Sequence, residues 1–302
     1  TGEGLQEGMK FFQQAIEKDP GSALAYSGLA DAFALLGSLP FDAMPPREAM
    51  PKTKQLATKA LELDDTLAEA HASLGYYKLS HEWDWAAAEK EFLRAIELNP
   101  GYATAHHWYA HTLLAAGRLE EALAEMKRAQ ELNPLSLIIN VGVGWCYHNA
   151  RRPDEAVEQY RKVLEMDPNF SLAHFALGLA LSQQRSYEQA IQAFQKAIDL
   201  SGGRLLTAVA ALGRAYALSG KRREAAKVLD QLIALAKRRY VPALYFAVVH
   251  AALGQREPAF EWGQKAFEER SEFLVYLKVE PALGELRTDP RFADLMHKHG
   301  LN

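Results

Sequence analysis

The sequence predicts an all-α fold: a solenoid of antiparallel helix pairs, closed by a C-terminal capping helix. Two observations predict it. The strings Ile96-Glu97-Leu98-Asn99-Pro100, Gln130-Glu131-Leu132-Asn133-Pro134 and Leu164-Glu165-Met166-Asp167-Pro168 recur, and their prolines stand 34 residues apart. A period of that length marks stacked supersecondary units. Small residues recur inside each period as well: Ala30, Gly75, Ala110, Gly144, Gly178, Gly213 and Ala247 in a first helix, Ala88, Ala122, Ala156, Ala190, Ala225 and Ala259 opening a second, and Ala15, Ala60, Ala95, Ala129, Ala197 and Ala266 near its end. Small residues let helix backbones cross closely, while Phe12, Phe92, Met126, Tyr160, Phe194 and Leu229 fill the space between successive pairs.

Taken in order, Gly4–Pro20 reads as the second helix of a repeat whose first helix is missing. A lone helix of this kind cannot bury its apolar face, so the array is expected to continue upstream. The start at Thr1 rather than Met agrees with a piece of a longer chain. Seven full repeats then occupy 21–271, opening near Ala23, Ala68, Ala103, Leu137, Ser171, Leu206 and Tyr240. Gly37, Gly117 and Gly220 stand where first helices end, as left-handed C′ residues would. Asn99-Pro100, Asn133-Pro134 and Asp167-Pro168 end second helices, because proline disfavours helix at the residue before it.

The segment 38–51, with Pro40, Pro45, Pro46 and Pro51, is an insertion between the two helices of the first full repeat. It leads into a helix over Pro46–Leu63, with Pro51 a candidate kink. Phe41, Met44 and Met50 are expected to dock on the neighbouring repeats, the alternative being a partner-binding flap. The last two repeats lack the terminal proline, and Gly263 replaces the bulky residue. Residues 272–302 read as the cap: Asp289 as N-cap, Pro290 at N1 and Gly300 at C′ frame a helix whose Phe292, Leu295 and Met296 would cover the last repeat.

Composition narrows the function classes. The 302 residues are 49% hydrophobic and 24% charged, which excludes a disordered chain. No apolar run reaches the ~18–20 residues that span a bilayer. A single cysteine, Cys146, allows neither an internal disulfide nor a zinc-finger or iron–sulfur site, and it reads as a buried inert thiol. The net charge of −4 is uneven: residues 1–200 hold 18 Lys and Arg against 27 Asp and Glu, and residues 201–302 hold 16 against 11. The basic runs Lys221-Arg222-Arg223 and Lys237-Arg238-Arg239 read as solvated helix faces, or as an edge for an acidic partner. Nucleic acid is not expected. Neither a signal peptide nor a membrane segment is expected from these residues, and a cytoplasmic location is expected, or a periplasmic one if the whole protein is membrane-anchored.

No catalytic motif stands out: Gly-x-Ser-x-Gly, a phosphate-binding glycine loop and a dinucleotide fingerprint are all missing. His107 and His111, one helical turn apart, with His148 one repeat later, have a spacing that metal ligands use, but no carboxylate or cysteine completes a set. No metal and no cofactor are expected. His71, His106 and His174 share one repeat position early in the first helix, which points to packing or a local hydrogen bond.

These residues resemble the tetratricopeptide-repeat family over roughly residues 5–271. The resemblance implies a right-handed superhelix whose first helices line an inner groove. The family's inward positions fall here on Asp31, Tyr76, His107, His111, Trp145, His148, Phe175, Ser182 and Arg214, with Leu24, Val141, Leu179, Leu244 and Val248 between them. The Lys/Asn carboxylate clamp of the chaperone-binding members is not here. Asp64-Asp65-Thr66-Leu67-Ala68-Glu69-Ala70-His71, Trp83-Asp84-Trp85 and Leu286-Arg287-Thr288-Asp289-Pro290-Arg291-Phe292 are similar to the repeat portion of large bacterial signalling proteins, in which such arrays follow a winged-helix or a serine/threonine kinase domain. Motifs of neither domain occur here.

The expected function is therefore a non-enzymatic protein-interaction scaffold, binding a peptide or helix of a protein partner in an aromatic, apolar groove. Self-association through the terminal repeats is the alternative, and a histidine metal site is the weakest.

Overall fold

The structure, a computed structural model, describes residues 2–38 and 43–301; Pro40 and Phe41 of the expected insertion lie outside the described residues. The chain divides into two compact units, Thr1–Asn133 and Pro134–Asn302. Unit 1 holds α1 (Gly2–Lys18), α2 (Ala23–Leu36), α3 (Pro46–Leu63), α4 (Ala68–Tyr77) running into a π-helical turn (Lys78–Glu82), α5 (Trp85–Leu98), α6 (Ala103–Ala115) and α7 (Leu119–Leu132). Unit 2 holds α8 (Leu137–Asn149), α9 (Pro153–Met166), α10 (Ser171–Gln183), α11 (Tyr187–Leu200), α12 (Leu206–Leu218), α13 (Arg222–Ala236), α14 (Ala243–Ala252) and α15 (Arg256–Glu268). It ends with 3₁₀ turns at Glu272–Tyr276 and Pro281–Leu283, the one-turn α16 (Gly284–Arg287) and α17 (Pro290–Lys298). Every described element is helical, and the helices pair antiparallel in an α-solenoid.

The two helices of a pair bury different amounts of surface, and the sequence shows why. In α9 the buried residues are Ala156, Val157, Tyr160 and Val163, one stripe at helical spacing, with charged residues around it. In α6 nearly every residue from Ala105 to Ala115 is buried. A helix with one apolar stripe lies outside; one that is buried on most sides lies between neighbours. First helices α2, α4 and α6 touch one another in unit 1, as do α8, α10, α12 and α14 in unit 2. The small residues sit where a ring crosses. A Cβ added at Gly144 would lie 2.3 Å from the Tyr160 ring, and one at Gly178 would lie 2.5 Å from the Phe194 ring.

Turns repeat too. Where a second helix ends, Asp19, Asp64, Asn99 and Asp167 each accept a hydrogen bond from the backbone N–H two residues on, the Asx turn these side chains favour. Six residues beyond the start of that turn's carbonyl, a first-helix side chain returns to it. His71 bonds the Asp65 carbonyl at 3.1 Å, His106 that of Pro100 at 3.2 Å and His174 that of Pro168 at 2.9 Å, while Asn140 donates to Pro134 at 2.9 Å. The recurring histidines therefore tie each turn to the helix after it. His71 also meets Glu91 at 2.7 Å, and this hydrogen bond, opposed by burial, raises its pKa.

Between first and second helices the backbone turns through the left-handed region. Gly117, Arg151, Arg185, Gly220 and Gly254 occupy it, with φ from 60° to 84°. The following N–H closes back on the helix, as from Arg118 to the Leu113 carbonyl at 2.8 Å and from Ser186 to Leu181 at 2.9 Å, the Schellman pattern. Arginine is strained there, by roughly 1 kcal/mol per residue. Arg185 is exposed, so Arg185→Gly is expected to stabilise unit 2 by about 1 kcal/mol, measured as a higher urea midpoint; an unchanged or lower midpoint would count against the strain.

The structure departs from the sequence expectation at three places. Gly37 is right-handed (φ −88°, ψ 0°) rather than left-handed. The chain there leads into the insertion instead of turning at once into a second helix, and a Cβ at Gly37 would come within 2.7 Å of that of Ala49, so close approach to α3 is what requires glycine. α14 opens at Ala243, not Tyr240, because Pro242 supplies its N-cap and biases Val241 to extended backbone. The interval from Ala68 to Ala103 holds one residue more than 34, and the π-helical turn after α4 absorbs it, as single inserted residues often are. α3 runs through Pro51, which faces solvent. Met50 is fully buried, with Ser80 Oγ 3.5 Å from its sulfur, while Met44 is half-buried.

Candidate functional site

The sequence-chosen residues fall on the faces of the first helices, and each unit is described by itself. In unit 1, α2 carries Asp31, α4 carries Tyr76, and α6 carries His107 and His111. The Tyr76 ring packs on Trp108 with centroids 4.8 Å apart. Ser73 Oγ donates to Asp31 Oδ1 at 2.5 Å. Burial pushes the Asp31 carboxyl up to about 7 against the lowering pull of Ser73, and Glu69 adds like-charge repulsion. The Nε2 atoms of His107 and His111 are 3.2 Å apart. Burial pushes His111 down to about 4, and burial with His111 beside it lowers His107 well below the ordinary range. The pair is neutral at pH 7, one ring donating to the other. Among the described residues no group of three or more His, Cys, Asp or Glu side chains has a geometry that holds a metal ion.

Asp31 carries a pH prediction. Its folded pKa lies above its ordinary value of 3.8, so the stability it contributes is full below about pH 4 and is lost as the pH rises through about 7. Asp31→Asn is therefore expected to match the parent near pH 4 and to exceed it near pH 8 by ~1–3 kcal/mol, discounted for the residue's partial exposure. Denaturation curves at the two pH values check it, and equal differences at both would refute it.

In unit 2 the face of α8, α10, α12 and α14 is covered, and the cover is the C-terminal segment. His148 on α8 meets Glu280 through Nε2 and Oε1 at 2.9 Å, with the side chains 1% and 0% exposed. Arg214 on α12 grips Glu285 of α16 through Nε and Nη2, both at 2.9 Å. Trp145 meets Phe273 edge to face, with centroids 5.8 Å apart. Phe175, Leu179, Leu244 and Val248 line, together with Ala282 and Leu283, an apolar crevice of about 40 Å³, room for about one water-sized group. Ser182 is buried on α10. Burial would raise Glu280, but attraction to and a hydrogen bond from His148, with the Ala282 N–H, hold it below the ordinary carboxylate range. Trp145 Nε1, His148 Nδ1, Ser182 Oγ and Glu280 Oε2 find no hydrogen-bond partner among the described residues, a cost of about 1–3 kcal/mol for each such group.

This arrangement changes the expected role of 272–302. α17 does lie on α15: Phe292 meets the Gly263 backbone, where a Cβ would be 2.4 Å from its ring. Asp289 caps it, accepting from the Arg291 N–H at 3.1 Å. Residues 272–287, however, lie along the first helices. Sequence reading missed Phe273, Glu280 and Glu285, because their partners lie far away in the chain and no periodic pattern joins them.

Elsewhere the sequence-chosen groups have local partners. Cys146 is buried, which pushes its thiol up. Of the basic runs, Lys221 pairs with Glu188, Arg222 donates to the Leu253 carbonyl and Arg239 to that of Gly203. No helix among the described residues is long and apolar enough to cross a membrane.

Stacked helix pairs with a lined inner face define an α-solenoid of the interaction-scaffold class. Models of the tetratricopeptide repeat match residues 81–138, 147–204 and 208–239, and the chain belongs to the tetratricopeptide-repeat family. The transcriptional regulator HilA of Salmonella typhimurium is 30% identical over 147 residues, covering 48% of this chain and 26% of HilA. HilA of Salmonella typhi matches equally. The chain thus spans about a quarter of the length of the curated relatives it matches. Among solved structures, the APC/C hetero-tetramer Cut9-Hcn1 is 16% identical with a TM-score of 0.66, over 98% of this chain and 52% of that one, a likeness of fold. YrrB, a TPR protein described as having an unusual peptide-binding site, is 26% identical over 65% of this chain and 95% of its own, with a TM-score of 0.41.

Proposed function

We propose that the chain is a non-enzymatic scaffold that binds an extended or helical segment of a protein partner on the inner faces of its first helices, within a bacterial regulatory or signalling protein. The observation that carries this reading is the segment 272–287 seated on the first helices of unit 2, where an irregular stretch of chain is held by an aromatic contact, a buried carboxylate and a bidentate ion pair. A face that holds one such segment has the chemistry to hold others. In unit 1, Asp31, Tyr76, His107 and His111 sit on the first helices α2, α4 and α6, and they are the residues through which a partner would be held. The partial likeness to a transcriptional regulator supports the regulatory setting.

Selection of a random peptide library against the full chain tests it. Enriched peptides are expected to lose about tenfold or more in affinity to Tyr76→Ala and His111→Ala variants, a loss of ~1.4 kcal/mol. Peptides that bind both variants as they bind the parent would remove the inner face of unit 1 from the proposal.

A further inference from the structure

The segment Glu272–Arg287 stands outside the repeat register. It is built from two 3₁₀ turns and a single helical turn, and it braces itself: Arg287 Nη1 donates to its own Leu277 and Glu280 carbonyls at 2.6 and 2.8 Å. Such internal bracing preorganises a segment as a ligand is preorganised. Its carboxylates meet nitrogen-bearing side chains of the first helices, Glu280 at His148 and Glu285 at the Arg214 guanidinium. Yet the fit is incomplete. Trp145 Nε1, His148 Nδ1 and Glu280 Oε2 are buried there without hydrogen-bond partners, whereas the polar groups of a settled core are paired.

We infer that residues 272–287 are an intramolecular ligand of the unit 2 groove, and that the groove's partner in trans is an acidic peptide with an aromatic residue and two carboxylates at the spacing of Phe273, Glu280 and Glu285. The inference rests on the inner-face reading given above and adds to it the partner's chemistry and its regulation. Burial of Leu277, Leu283 and Leu286 keeps the groove closed at rest. A trans peptide then binds with its intrinsic affinity reduced by the fraction of chains that are open, so loosening the cis segment tightens binding in trans. The partner's aromatic side chain would take the Trp145 contact, and its carboxylates would take His148 and Arg214.

The experiment uses the full chain and a labelled synthetic peptide with the sequence of residues 271–288. Glu285→Gln is expected to raise hydrogen exchange across 272–287 at least tenfold, with α9 and α13 unchanged. The double variant Phe273→Ala/Glu285→Gln is expected to bind the peptide at least tenfold more tightly than the parent does. Glutamine at the peptide positions of Glu280 and Glu285 is expected to remove that binding. The charge exchange Arg214→Glu/Glu285→Arg, which rebuilds the cis pair, is expected to return 272–287 to slow exchange and to bind no acidic peptide. Exchange that rises together in α9, α13 and 272–287 would make the segment part of the common core and overturn the inference. So would peptide binding no tighter in the double variant than in the parent. Peptide capture that responds to Tyr76→Ala or His111→Ala but not to these substitutions would uphold the unit 1 reading and overturn this one.

Discussion

Replacing His148 by alanine is expected to destabilise unit 2 by about 3–5 kcal/mol, the loss seen when the partner of a buried charge, here the Glu280 carboxylate, is removed. His148 and Glu280 are essentially inaccessible, and their 2.9 Å contact links α8 to the turn at Pro281. Without His148 the carboxylate keeps only the Ala282 N–H at 2.8 Å and the more distant attraction of Arg214. A buried charge left so poorly matched costs far more than the pair contributes when intact. Glu280→Gln, which keeps a hydrogen-bonding group without the charge, is expected to cost less. The comparison also carries a sign in pH. The folded pKa of Glu280 lies below its ordinary value of 4.5, so its contribution is present above about pH 4.5 and is lost as the pH falls through the lowered value. The gap between the parent and Glu280→Gln should therefore narrow in acid. Urea denaturation of both at pH 7 and pH 3 measures it; a gap that widens in acid would contradict the pairing.

Phe194→Ala is the second large expectation, at about 3–5 kcal/mol. Phe194 is 1% exposed, lies against Gly178, and has Phe175 with its centroid 6.1 Å away. Alanine would leave a void between α10 and α11 that glycine on one side and a rigid helix on the other cannot fill. In a stacked array each repeat is stabilised by its neighbours, so the damage should spread along unit 2. Hydrogen exchange would show it as lost protection in α10–α12, and a change confined to α11 would contradict the close Gly178 contact. The reverse substitution, Gly178→Ala, probes the same contact by crowding, since its Cβ would come 2.5 Å from a ring that is itself enclosed. Overpacking of this kind costs about 1–3 kcal/mol.

Legibility from sequence followed the range of the interaction. Ala23, Ala68, Ala103, Leu137, Ser171 and Leu206 are first residues of helices, and they were readable because proline, glycine and small residues act on the backbone within a few positions. Gly144 and Tyr160 were each readable as repeat positions because they recur at fixed offsets; the structure shows the ring lying on the glycine of its own helix pair rather than between successive pairs. The recurrence of His71, His106 and His174 pointed to a local bond for the same reason. Arg151 and Arg185 were not recognised as turn residues, because arginine carries no preference for positive φ. The extra residue taken up in the π-helical turn after α4 left no compositional mark.

By itself the sequence determined the all-α class, the pairing of helices and which face of each is buried, because these follow from short-range periodicity. Only the tertiary structure decided where the C-terminal segment lies and what Glu280 and Glu285 meet. Those contacts join residues as far apart as His148 and Glu280. Their energy comes from geometry that forms only once the intervening repeats have stacked, and a pair formed once in the chain has no periodicity to announce it.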